Sequence, residues 1–168
     1  QPLFEQIIKT IPVAHGDPEG AVQILVTNLD YSDYLGRLAI GRVFNGTMRT
    51  GQEYSVAKLD GTYTKHRITK LFSFSGLKRT DIEETQVGDI VAIAGIPGIT
   101  IGESFCDVEN PQPLPQIVID DPTIAIQFNV NNGPFAGREG KFVTSRNLRD
   151  RLDKELLTNV SLKMQETG

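Results

Sequence analysis

The sequence predicts a mainly β protein with an α+β portion: a closed β-barrel, followed by a partial strand, helix and strand unit. Three observations predict it. Six short β-rich runs separated by turn residues lie between residues 21 and 108, and closure of so many short strands removes exposed edges. Asn110–Pro115 (NPQPLP) then places three prolines in six residues, which makes a stiff extended connector and a domain boundary. Beyond it the apolar spacing changes from period two to a helical period and back.

The elements follow in order. Leu3, Phe4, Ile7, Ile8 and Ile11 have helical spacing, with Pro2 suited to the first turn and Pro12 as the stop. A lone short helix with no initiator methionine reads as the interior of a longer protein. His15–Gly20 (HGDPEG) is a turn-rich linker. The β-rich runs are Ala21–Leu29, Arg37–Phe44, Glu53–Leu59, Tyr63–Phe74, Ile90–Ile96 and Glu103–Val108, and Asp60-Gly61 is the clearest tight hairpin between them. After the prolines, Thr123–Val130 alternates with Ile124, Ile126, Phe128 and Val130 on one face. Arg146–Thr158 carries Leu148, Leu152 and Leu156 one turn apart, with i,i+4 pairs Arg146/Asp150, Arg149/Asp153, Asp150/Lys154 and Arg151/Glu155. Ser145 is the expected N-cap and Asn159 the expected left-handed stop. Val160, Leu162 and Met164 alternate as a last strand.

The 168 residues carry a net charge of −4, from 17 basic and 21 acidic residues. That total hides a dipole. Between residues 37 and 79 nine bases face only Glu53 and Asp60, and between residues 80 and 116 seven acids face no base. A basic block interleaved with Phe44, Tyr54, Tyr63, Phe72 and Phe74 is what a phosphate-meeting surface needs, because cations release counterions and rings offer stacking faces. The same pattern also suits the wet face of any small barrel. No apolar run is long enough to span a bilayer, a lone Cys106 cannot form an internal disulfide, and a reducing compartment is expected.

Catalytic and metal chemistry find little support. The cluster Gly133-Pro-Phe-Ala-Gly137-Arg-Glu-Gly140-Lys141-Phe142 lacks the phosphate-loop spacing: Phe135 stands where a glycine is needed, and Phe142 follows the lysine where Ser or Thr should. His15 and His66 with one cysteine cannot supply the usual zinc ligands. Cys106 reads as a small buried residue, because neighbouring acids raise a thiol pKa. Glu83 and Glu84 are adjacent, point apart and read as a solvated face. No residue is assigned a catalytic, cofactor-binding or metal-binding role.

Gly36-Arg37-Leu38-Ala39-Ile40-Gly41-Arg42-Val43, with Gly46 and Thr50-Gly51-Gln52, resembles the second domain of translational GTPases, the elongation-factor-type β-barrel. Val87–Ile93 and Ile101-Gly102-Glu103 are similar to its later strands. Leu29–Arg37 (LDYSDYLGR) and Asn131–Leu157, with PFAGREGKFVTSR at its centre, resemble the TypA/BipA branch. The resemblance implies three parts: residues 1–14 as the terminal helix of a preceding GTPase domain, 15–116 as the translation-factor barrel, and 117–168 as the first half of a ferredoxin-like domain. It implies a ribosome-associated factor acting in translation, ribosome assembly and stress adaptation. The partners implied are the ribosome, chiefly small-subunit rRNA, with tRNA and ribosomal protein beside it, and no membrane. GTP and Mg are implied for a GTPase domain whose motifs this sequence does not contain, and the location implied is cytoplasm or plastid stroma. The expected RNA-binding residues are Arg37, Arg42, Arg49, Lys58, Lys65 and Arg67 in the barrel and Arg138, Lys141 and Arg146 beyond it, with Lys70, Lys78 and Arg79 as secondary candidates. The alternative is a protein-protein scaffold that relays movement between neighbouring domains without touching RNA.

Overall fold

Alternating apolar residues build the sheet of the computed structural model, which describes residues 2–138 and 140–166. Helix α1 (Pro2–Thr10) buries none of its side chains. Eight strands follow: β1 (Gln23–Ser32), β2 (Gly36–Asn45), β3 (Glu53–Ala57), β4 (Tyr63–Arg67), β5 (Lys70–Ser75), β6 (Lys78–Ile82), β7 (Ile90–Ala94) and β8 (Ser104–Cys106). They form one sheet in the order β4-β3-β8-β1-β2-β7-β5-β6, and each pairing is antiparallel.

One face of that sheet closes over a core of Ile24, Val26, Leu29, Ala39, Val43, Val56, Leu71, Val91, Ile93 and Phe105. In β1 the inward period jumps from Val26 to Leu29, because the register with β2 shifts between Val26 and Asn28. Such an irregularity re-aims the side chains after it. The β3–β4 hairpin forms where the Asp60-Gly61 pair predicts it: Gly61 has φ of +82°, and Lys58 N–H donates to Thr62 O at 2.8 Å.

The run Tyr63–Phe74 divides into two strands, and the corner between them has a physical cause. Ile68 is fully buried and its backbone still pairs toward β3, with N–H to Gln52 O at 2.9 Å. The next residue, Thr69, donates to Ala94 O of β7 at 3.0 Å. The chain changes ladder partner within one residue. The two terminal strands of the sheet are tied through the segment entering β3. An isolated bridge joins Arg49 to Glu84, Thr50 N–H donates to Glu83 O at 2.9 Å, and Thr85 N–H donates to Met48 O at 3.0 Å.

Beyond the prolines, helix α2 (Ser145–Leu156) forms as expected. Its N-cap is Thr144 rather than Ser145: Thr144 has extended geometry and its hydroxyl accepts from Asn147 N–H at 3.3 Å. Arg149–Asp153 and Arg151–Glu155 pair across one turn. Asn159 is not left-handed, since among the described residues only glycines have positive φ. The segments 123–130 and 160–164 form no strand. Ile124 and Ile126 stay 80% and 74% exposed, because a strand takes its hydrogen bonds and its apolar cover from a neighbour and 123–130 pairs with no strand among the described residues; in the second segment Val160 is partly buried against the barrel core without joining the sheet.

Candidate nucleic-acid interface

The β3–β4 edge collects four of the nine basic residues expected to meet phosphate. On β4 the side chains alternate outward and partly inward, which puts Tyr63, Lys65 and Arg67 on the exposed face and Thr64 and His66 toward the barrel. In register, Ser55 faces Lys65 and Glu53 faces Arg67. Arg67 directs its Nε at Gly51 O, 2.7 Å away, and not at Glu53. Lys65 has no carboxylate within ion-pair distance among the described residues.

The other candidates divide by partner. Arg49 pairs with Glu84 at 3.1 Å, with both side chains more than half exposed. Lys58 lies at the far end of the same hairpin and is bound inward. Its Nζ is 2.9 Å from Glu103 Oε2, with the side chains 17% and 5% exposed, and the Glu103 carboxylate also accepts from Thr100 N–H at 3.2 Å. Arg37 donates from Nη1 to Ile99 O at 3.1 Å, beside Gly98, whose carbonyl accepts from Lys58 at 3.4 Å. These two therefore meet at one rim of the barrel. Arg42 stands apart on β2, exposed, with its guanidinium 5.1 Å from the Phe44 ring centroid. Guanidinium–ring stacking leaves the charge free for an anion.

The secondary candidates lie on the β5–β6 hairpin. Lys70 pairs with Asp81 at 3.3 Å and Arg79 with Asp30 of β1 at 2.9 Å. Lys78 is exposed. Beyond the barrel, Arg138 lies over Phe135 at 4.8 Å, Lys141 is exposed in the glycine loop, and Arg146 occupies the first turn of α2. The structure thus gathers Arg49, Lys58, Lys65 and Arg67 along one hairpin with Arg37 at its rim, and leaves Arg42 and the three later residues elsewhere.

Sequence reasoning did not single out Glu103 as the partner that holds Lys58, nor the outward row in which Tyr63 joins Lys65 and Arg67. The row was available as a period of two in Tyr-Thr-Lys-His-Arg; the ion pair joins residues 45 apart and has no local signal. His66, below that row, has its pKa lowered, first by burial and then by the Lys58 ammonium, with Glu103 opposing. Cys106 is fully buried, and burial pushes its thiol up to about 11, far from a nucleophile at neutral pH. Among the described residues no group of His, Cys, Asp and Glu could hold a metal ion, and no helix is long and apolar enough to cross a membrane.

Comparison with known proteins bears on the fold. Residues 36–106 match the family model of elongation factor Tu domain 2, the stretch from β2 to β8. The chain is 51% identical over 166 residues to the large ribosomal subunit assembly factor BipA of Bacillus subtilis (strain 168), which covers 99% of this chain and 27% of that protein. It is 50% identical over 166 residues to the protein of the same name from Synechocystis sp. (strain ATCC 27184 / PCC 6803 / Kazusa), covering 99% and 28%. It is 42% identical over 165 residues to the putative elongation factor TypA-like SVR3, chloroplastic, of Arabidopsis thaliana, covering 98% and 24%. The chain spans about a quarter of the length of these curated relatives. A barrel on the elongation factor Tu domain 2 pattern, with alignments at 42% to 51% identity that cover nearly the whole chain, places the chain in the BipA/TypA family of translation factors.

Proposed function

We propose that the chain is the ribosome-binding part of a BipA/TypA translational GTPase, and that its β3–β4 edge positions the factor on rRNA phosphates of the small subunit. The observation that carries the reading is the outward row Tyr63, Lys65 and Arg67 on an edge strand, whose two cations have no carboxylate partner among the described residues. Arg37 extends the positive surface at the rim, and Arg42 on β2 offers a separate exposed cation. Phosphate contacts of this kind orient a protein without reading bases. Arg138, Lys141 and Arg146 add a second contact, to rRNA or ribosomal protein, from the loop and helix after the barrel.

In the whole protein, GTP and Mg bind a separate GTPase domain and hydrolysis is coupled to this contact; the role is in translation, ribosome assembly and stress adaptation, in cytoplasm or plastid. Relatives named as assembly factors of the large ribosomal subunit support the ribosome as partner, and the chloroplastic relative supports the plastid location. The test is co-sedimentation of the full-length protein with ribosomes over a salt series. Lys65→Ala with Arg67→Ala should weaken binding and flatten the log-log salt slope by about two units, roughly one per lost phosphate contact. An unchanged slope would favour a scaffold that carries movement between domains without touching RNA.

A further inference from the structure

The proline-rich connector lies on the barrel as a fitted element. Three prolines, Pro111, Pro113 and Pro115, fix their own φ, and each restricts the residue before it (Asn110, Gln112, Leu114) to extended geometry. Six consecutive residues are thereby biased toward a polyproline II helix, which has three residues per turn. Burial follows that period: Pro111, Leu114 and Ile117 are half-buried, and Gln112, Pro113, Pro115 and Gln116 between them are exposed.

What the connector covers is a face of the sheet. In β3 and β8 the inward residues are Tyr54, Val56 and Phe105, so Ser55, Ala57, Ser104 and Cys106 point to the outside by alternation. Yet these four are only 3%, 7%, 2% and 0% exposed. The connector's hydrogen bonds fall around that patch. Gln23 Nε2 of β1 donates to Gln112 O at 2.9 Å, and Gln116 Nε2 donates to Lys58 O at 3.1 Å. At Gly102, φ of +90°, an added Cβ would fall 2.4 Å from Ile117 O, so the backbones approach where only glycine leaves room.

We infer that residues 111–117 are an intramolecular strap, a polyproline II segment docked in a groove on the outer face of β1, β8 and β3, which fixes the direction in which the following unit leaves the barrel. The groove accepts a rigid apolar helix with one residue in three turned inward, and rigidity lowers the ordering cost of docking. Release of the strap is an opening separate from unfolding of the barrel, and it uncovers Cys106.

Cys106 is the sole cysteine, so disulfide-exchange labelling with a chromogenic reagent reports the release. In the native 168-residue chain the labelling rate should rise with urea much less steeply than global unfolding measured by far-ultraviolet circular dichroism, because a local opening exposes little surface. Leu114→Ser with Ile117→Ser should label at least roughly tenfold faster with nearly the same unfolding midpoint. Gln112→Ala keeps the carbonyl that Gln23 uses and should label at the wild-type rate. A wild-type rate carrying the full urea slope of global unfolding would overturn the strap, whether or not the double variant folds. So would a double variant whose labelling rises only in proportion to lost global stability.

Discussion

The barrel and the segment after the strap carry the same alternating apolar pattern, and only one of them is assembled. In β1, β2, β7 and β8 every inward residue of the pattern finds cover: Ile24, Val43, Val91 and Phe105 are fully buried. Thr123–Val130 has an equally regular alternation, and Phe128 remains 60% exposed. The difference teaches that period two specifies which face a strand would bury and says nothing about whether a neighbour exists to bury it against. The largest contrast should therefore appear in paired truncations. Phe105→Ala should cost about 4 kcal/mol through lost transfer energy and a cavity between β3 and β1, whereas Phe128→Ala should stay within about 0.5 kcal/mol. Urea denaturation followed by circular dichroism reads both, and equal costs would erase the comparison.

Ion pairs sharpen it next. Lys58–Glu103 is enclosed in the barrel rim, while Arg151–Glu155 lies on the open face of α2, with its arginine 69% exposed. Lys58→Ala leaves a buried carboxylate without its counter-charge and should cost about 3 kcal/mol, against about 0.5 kcal/mol or less for Arg151→Ala. Added salt should leave the first difference nearly intact, since enclosed pairs are screened least.

A smaller effect separates the two regions by signal. Thr144→Ala removes the cap of α2 and should weaken that helix by about 1 kcal/mol, visible as lost helical ellipticity. The barrel's denaturation midpoint should not move, because among the described residues α2 packs against no strand. The smallest effect is a pH dependence confined to the barrel. The folded state lowers the His66 pKa below the ordinary 6.5, so below that pH the unfolded chain binds the extra proton first and stability falls as pH falls. His66→Gln should flatten the pH dependence of the midpoint in that window; an unchanged profile would mean that the rim does not penalise the imidazolium.

How much the sequence disclosed follows from what each feature depends on. β1, β2, β7 and β8 lie within their expected runs to a few residues, because their apolar, β-rich runs are bounded by turn residues whatever lies beside them. β6 (KRTDI) was unreadable: four of its five residues are polar, and it is a strand only because β5 supplies a complete ladder from Leu71 to Ser75. The Ile68 corner was hidden because β-forming composition runs through it, while the inward phase slips from Ile68 to Leu71 and the ladder partner changes. For the interface, composition located the basic block, but not which cations are engaged. That Lys58 is held by Glu103 and Arg79 by Asp30 depends on contacts made across the fold, and no local pattern encodes them.

The shortest strand has the largest topological duty. Among the described residues β8, three residues long, is the only strand that joins β3 to β1 in the ladder; without it the β3–β4 hairpin is tied to the other five strands by the Arg49–Glu84 bridge with its neighbouring hydrogen bonds and by the Ile68 corner. In synthesis from the N-terminus the pairing of β1 and β3 through β8 waits for residues 104–106, so the barrel is completed by nearly its last-made residues. Translation arrested just before Ser104 should leave nascent chains open to protease, and arrest far enough beyond Cys106 for it to clear the exit tunnel should leave them resistant.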